Sequence, residues 1–228
     1  MERAVALVTG ASRGIGAAVA RALAPTHELL LGGRDEAALA ELAGTLPAAR
    51  PWPVELTDPD ALAAATGGLT RLDVLVHSAG VAELGPLADV TAATWRRTLD
   101  VNVVAVAELT RLALPLLRAA RGHVVLINSG AGLRANPDWG VYAASKFALR
   151  AYADVLRAEE PDLRVTSVHP GRVDTDMQRG VRAQESGDYQ PHLYLTADSV
   201  ARAVATAVTA ADDAHFTEVV VRPRPRLG

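Results

Sequence analysis

The stretch VALVTGASRGIGAAVARAL, residues 5–23, decides how the chain folds. An apolar run leads into Gly10, Gly14 and Gly16, and a helically spaced apolar pattern follows. Glycines at such a junction permit a tight turn and a close approach of backbone to a ligand. The helix start behind them offers free N–H groups and a partial positive charge, which suit a diphosphate. The spacing is G-x-x-x-G-x-G rather than the commoner G-x-G-x-x-G. Taken alone, the stretch also fits an ordinary glycine-rich turn between a strand and a helix.

Outward from this unit the same alternation continues. Strand-like runs cover 4–9, 27–32, 52–56, 73–78, 123–128, 164–169 and 217–221. Several are continuously apolar, as strands buried on both faces are. Helical patterns lie near 14–24, 35–46, 58–66, 91–119, 138–160 and 196–210, with Asp35 and Asp198 placed as N-caps or first-turn acids. Strands alternating with helices predict βαβ units, a parallel sheet and one α/β domain over residues 1–228. The polar segment 175–195 breaks the alternation and reads as a substrate loop.

Composition narrows the function. Half of the 228 residues are hydrophobic, enough for a sizeable core. The net charge of −3 leaves no basic stripe for nucleic acid. With no cysteine, and six histidines scattered without ligand spacing, no metal site is expected. No targeting segment or membrane span is visible, so a cytoplasmic location is the expectation. The basic, proline-rich tail VRPRPRLG reads as a solvated extended end.

The second strand ends in Gly32-Gly33-Arg34, without the acid that would hold a ribose 2′-hydroxyl in an NAD site. Asp35 reads as the start of the next helix. Arg13 and Arg34 can instead form a fork for a 2′-phosphate, which favours NADP(H) over NAD(H). Taken singly, either arginine could equally be a solvated surface residue.

The reacting group is read from VYAASKFAL, residues 141–149. Lys146 is the one lysine among 23 basic residues. Tyr142 precedes it by four residues, so the two share a helix face. A nearby ammonium favours the phenolate and lowers the tyrosine pKa. Y-x-x-x-K by itself is also a common surface pair. Ser129 ends a strand thirteen residues earlier, where ligands bind in open α/β sheets and where a hydroxyl can donate to a substrate oxygen. Asn102 is an amide inside an apolar helix pattern and needs partners, backbone or water.

In this order and spacing the motifs resemble the short-chain dehydrogenase/reductase family over essentially the whole chain. TGASRGIG resembles its cofactor glycine motif, and HSAG (77–80) its Asn-Asn-Ala-Gly turn with Ser78 in place of the second asparagine. Asn102, Ser129, Tyr142 and Lys146 match its four catalytic positions, and HPGRVDTDM (169–177) its Pro-Gly segment with a cofactor-touching threonine, here Thr175. The resemblance implies a Rossmann-type three-layer fold, a seven-stranded parallel sheet flanked by helices. It also implies hydride transfer between NAD(P) and a carbonyl or alcohol. Tyr142 would protonate the carbonyl oxygen, Lys146 would lower the Tyr142 pKa and hold the nicotinamide ribose, and Ser129 would orient the substrate oxygen. Asn102 would hold a water linking Lys146 to solvent. Ser12, Ile15, Leu56, Ala79, Gly80, Pro170, Gly171 and Val173 would join the cofactor contacts, with Glu55 in place of an aspartate near adenine. Members of the family pair through two long helices, here 91–119 and 138–160, which implies a homodimer or homotetramer.

The sequence thus reads as an NADP(H)-dependent carbonyl reductase or alcohol dehydrogenase acting on a small molecule. An NAD-dependent alcohol or hydroxy-acid dehydrogenase and a non-catalytic NADP-binding regulator are the alternatives. Leu133, Trp139, Met177 and Tyr189, with Val81, His192 and Tyr194, are the candidate pocket wall. They suit an uncharged ketone or aldehyde, whereas Arg134 and Arg179 would suit a carboxylate.

Overall fold

The computed structural model describes residues 3–224. Seven strands form one parallel sheet: β1 (Ala4–Thr9), β2 (His27–Gly33), β3 (Ala49–Pro53), β4 (Val74–His77), β5 (His123–Ile127), β6 (Arg164–Pro170) and β7 (Glu218–Val221). Their spatial order is β3-β2-β1-β4-β5-β6-β7, so the direction of winding reverses between β1 and β4. The helices are α1 (Gly14–Leu23), α2 (Glu36–Gly44), α3 (Pro59–Gly67), α4 (Ala92–Leu99), α5 (Ala105–Ala120), α6 (Gly140–Glu159), α7 (Asp176–Gln184) and α8 (Ala197–Val208).

The apolar strand runs are explained by helices on both faces. Leu7, Leu30, Leu75, Val124 and Leu126 pack on one face with Leu109 and Leu117 of α5 and Leu149 and Leu156 of α6. Their strand neighbours Val8, Leu29, Leu31, Val76 and Val125 pack on the other with Val19 and Leu23 of α1 and Val200 and Val204 of α8. Burying each such leucine contributes about 1.5–3 kcal/mol. The expected three-layer Rossmann-type fold is therefore what the chain adopts.

Three expectations are corrected. The third strand lies at 49–53, not 52–56. It is the sheet edge, where Pro51 and Pro53 need no second neighbour, and Glu55 is drawn into a turn by the Thr57 amide and hydroxyl. The pattern at 91–119 is not one helix: a π-helical turn, Asp100–Val104, separates α4 from α5. The segment 175–195 is not a plain loop. Thr175 caps α7 by accepting from Gln178 N–H at 3.3 Å, and a 3-10 turn follows at Pro191–Leu193. Asp35 caps α2 as expected, accepting from Ala38 N–H at 3.0 Å. Residues 225–228 of the tail lie outside the described residues.

Two core histidines are held neutral. Thr110 donates its hydroxyl to Val106 O and Thr166 donates to Phe216 O, so each threonine oxygen accepts from a histidine Nε2, at 2.9 Å for His77 and 2.7 Å for His123. Burial pushes both pKa values down to about 3. The unfolded chain protonates these rings below about pH 6.5 while the folded chain does not. Stability from this source is thus present above pH 6.5 and lost as pH falls towards 3. Urea unfolding between pH 6 and pH 4 is expected to lose up to about 1.4 kcal/mol per pH unit for each ring. A His77→Gln variant should show a shallower pH slope than wild type by about one proton.

Candidate active site

Two clefts open at the carboxyl ends of the strands, beside the reversal between β1 and β4. This is where open α/β sheets bind ligands. Thr9, the last residue of β1, ties the two strands together. Its Oγ1 accepts from Ser78 N–H at 3.1 Å and Ala79 N–H at 3.2 Å.

The first cleft, of about 270 Å3, is formed by the glycine loop, the ends of β2 and β3, and the HSAG turn. Gly10, Ser12, Arg13, Gly14, Ile15, Gly16, Arg34, Glu55, Leu56, Ser78, Ala79, Gly80 and Thr175 all line it. The loop is built for backbone approach. Gly10 has φ +66°, and a Cβ on it would lie 2.9 Å from the Ala79 backbone. A Cβ on Gly16 would lie 2.2 Å from Gly10 O. No side chain caps the start of α1 and no acid sits in its first turn, so its N–H groups are free for an anion. Arg34 lies 3.4 Å from Glu55 and Arg13 lies 3.9 Å from Asp176, all four at the exposed mouth. The Asp35 carboxylate is engaged as the α2 cap. A dinucleotide diphosphate fits this cradle.

The second cleft, of about 370 Å3, contains Ser129, Trp139, Tyr142, Pro170, Gly171, Val173 and Met177. Thr175, Met177 and Ile15 line both clefts and form their shared wall. Ser129 accepts from Ala131 N–H at 3.1 Å and directs its own hydroxyl towards Tyr142. Tyr142 is buried against Trp139, ring centroids 5.8 Å apart. Burial raises its pKa, and hydrogen bonding with Ser129 works in the opposite direction. Lys146 lies on the next turn of α6, only 5% exposed. Its Nζ donates to Ile127 O at 3.1 Å and stands 5.8 Å from the Tyr142 ring centre. Burial lowers its pKa to about 8.

Asn102 sits in the π-helical turn, 1% exposed. Its Nδ2 donates to Val81 O at 2.9 Å and to Ser145 Oγ at 3.0 Å, while its Oδ1 accepts from Val81 N–H at 2.9 Å. Both amide protons are therefore spent on protein groups.

The sequence profile of the short chain dehydrogenases matches residues 4–186. The chain belongs to the short-chain dehydrogenase family. An uncharacterized oxidoreductase of Staphylococcus epidermidis is 33% identical over 228 residues, 96% of either chain. The glycine betaine reductase of Emericella nidulans is 36% identical over 236 residues, 96% of this chain. The alignment takes in only 19% of that reductase, so this chain spans about a fifth of its length. An alcohol dehydrogenase from the archaeon Thermococcus sibiricus, solved in complex with 5-hydroxy-NADP, superimposes with a TM-score of 0.90. It is 27% identical and is covered over 99% of its length by 100% of this chain.

Within this short-chain dehydrogenase some expected wall residues lie elsewhere. Leu133 and Tyr189 do not line the second cleft. Leu133 ends the 3-10 turn Gly130–Gly132. Tyr189 donates to Asp174 and lies under Arg179, whose guanidinium is 4.2 Å from the ring centre. Arg179 is thereby turned away from the cleft, Val81 faces the first cleft instead, His192 is exposed and Tyr194 is buried behind the wall. The tail is also more than a solvated end. Arg222 donates to His169 O at 3.0 Å and lines the second cleft. Asn128 was missed although it directly precedes Ser129. It accepts from Ser129 N–H at 2.8 Å and donates to Lys146 O at 3.1 Å, joining the two site residues.

The lowered Lys146 pKa has a testable sign. Between about pH 8 and 10.5 the unfolded lysine keeps its proton and the folded one does not, so stability rises with pH across that window. From pH 8 to 9.5 the cofactor-free protein is expected to gain up to about 1.4 kcal/mol per pH unit from this group. Denaturant titrations of Lys146→Met should lack that rise.

Proposed function

We propose that the protein is an NADP(H)-dependent oxidoreductase that interconverts a ketone or aldehyde and its alcohol. The observation that carries this reading is the buried Tyr142–Lys146 pair beside Ser129, across a shared wall from the glycine cradle. NADP(H), when bound, supplies or accepts the hydride at the carbonyl carbon. The chain's own residues handle the proton. Burial keeps the Tyr142 phenol protonated, the form a general acid needs for reduction. Ser129, hydrogen-bonded with Tyr142, would turn its proton to the substrate oxygen and orient it towards that phenol. As Tyr142 gives up its proton, the Lys146 ammonium stabilises the phenolate. Asn102 holds the backbone at Val81, and a water at its remaining acceptor positions would return a proton through Lys146.

The cofactor preference rests on Arg34 and Arg13 at the cleft mouth and on the capping role of Asp35. The alcohol dehydrogenase of Thermococcus sibiricus, bound to 5-hydroxy-NADP, agrees with it. Exposed Val104, Phe147 and Val155 on the π-helical turn and α6 support pairing of copies through the long helices. No described helix is long and apolar enough to cross a membrane.

Tyr142→Phe is expected to bind NADPH normally and to lose about 100-fold or more in kcat on any carbonyl the wild type reduces. Unchanged turnover would sink the mechanism. In fluorescence titrations Arg34→Asp should weaken NADPH by about tenfold or more while leaving NADH little changed. An equal loss for both cofactors would refute the 2′-phosphate role.

A further inference from the structure

The substrate cleft carries charge that carbonyl chemistry does not require. Its wall is apolar along Ala82, Trp139, Met177 and Val181, and no aspartate or glutamate lines it. Three arginines do: Arg134, Arg172 and Arg222. Arg172 is already engaged, since both its terminal nitrogens donate to Glu185, at 2.9 and 2.8 Å, a carboxylate it shares with Arg182. It also lies over the Trp139 ring at 5.6 Å. Arg134 and Arg222 have no carboxylate partner among the described residues.

Arg222 is positioned rather than loose. One of its nitrogens donates to His169 O at 3.0 Å, which fixes the guanidinium just beyond the end of β7. It lies over Gly130, where a Cβ would stand 3.3 Å from Nη1 and 3.4 Å from Nη2. The lack of a side chain at residue 130 brings the cation beside Ser129. A guanidinium has five N–H donors, and among the described residues this one spends a single bond on protein. The phosphate end of the cofactor does not account for it, because the glycine cradle, Arg13 and Arg34 line the other cleft, and the nicotinamide end, which would reach Pro170, Gly171 and Val173 beside it, carries no carboxylate.

We infer that the substrate carries a carboxylate, held by Arg222 with Arg134, while its carbonyl or hydroxyl carbon lies at Ser129 and Tyr142. The substrate class is then a small oxo acid or hydroxy acid, since it shares a cavity of about 370 Å3 with the nicotinamide end of the cofactor at Pro170, Gly171 and Val173. The inference rests on the reading of the same site as a carbonyl–alcohol centre, and its test separates the two.

Calorimetric titration at physiological ionic strength, with and without NADPH, compares benzoate with its neutral isostere benzamide. Wild type is expected to bind benzoate about tenfold more tightly or better. Arg222→Gln and Arg134→Gln should each reduce that preference, and Arg222→Lys should restore part of it. Arg202→Gln, on α8 and outside the cleft, should leave it intact. Circular dichroism of each variant checks the fold. Kinetics with acetoacetate and its methyl ester form the second arm, with the acid expected to lead in kcat/KM. A benzoate preference that depends on Arg222, with neither compound turned over, upholds the carboxylate site and sinks the carbonyl–alcohol reading. Benzamide binding as well as benzoate, or a preference that survives loss of both arginines, overturns the inference, and turnover of the ester would then leave the carbonyl–alcohol reading standing.

Discussion

An ammonium group almost cut off from water lies buried behind Tyr142, and the surrounding elements hold it there. Burying a charge is costly unless it is paired or hydrogen-bonded. Lys146 has one carbonyl, Ile127 O, at 3.1 Å and the Tyr142 ring nearby. Its backbone is fixed through Lys146 O, which accepts from Asn128. That contact requires Gly132 to lack a side chain, because a Cβ there would fall 2.4 Å from Asn128 Oδ1 and 2.8 Å from Lys146 O. The preceding residue, Ser145, donates to Tyr142 O and accepts from Asn102. The ends of β4 and β5, the π-helical turn and α6 are thus bound to one another through the residues flanking a single charge.

The same constraint shapes the wall between the clefts. Thr175 and Met177 face both, so the start of α7 must be held in place. Its fastening is electrostatic and lies behind the wall. Glu185 takes Arg172 and Arg182, which lowers its pKa, and Asp174 takes Tyr189, whose pKa is raised to about 12 by burial and by the carboxylate. Such partly exposed pairs contribute little each to stability. Together they fix the position of a segment whose own sequence is polar.

How much of this was legible depended on whether a residue's partner was local. The glycine loop, the strand–helix alternation and the Tyr142–Lys146 spacing are local patterns and were readable. Asp35 was readable as a cap for the same reason. β3 was misplaced because apolar alternation favours Trp52–Leu56, whereas edge pairing with β2 and the Glu55–Thr57 turn decide the outcome. The π-helical turn leaves an apolar pattern nearly unchanged, and it shows only in the backbone bond from Ala105 N–H to Asp100 O. Arg222 and Tyr189 were misjudged because each takes its partner from another element, His169 O on β6 and Asp174 before α7.

The lone lysine can now be explained physically in a chain otherwise served by arginine. The space at Lys146 Nζ is bounded by Gly80, where a Cβ would stand 3.9 Å away, and offers one protein acceptor. A guanidinium would bring five donors into that space and leave most of them unpaired, at a cost of about 1–3 kcal/mol for each group left unsatisfied. It would also remain charged at every accessible pH, whereas burial brings the ammonium to a pKa of about 8. A group poised there can both stabilise a phenolate and exchange a proton near neutral pH. Arg222 shows the complementary choice: at an open cavity wall, fixed charge and spare donors suit a residue that holds an anion and never has to release a proton.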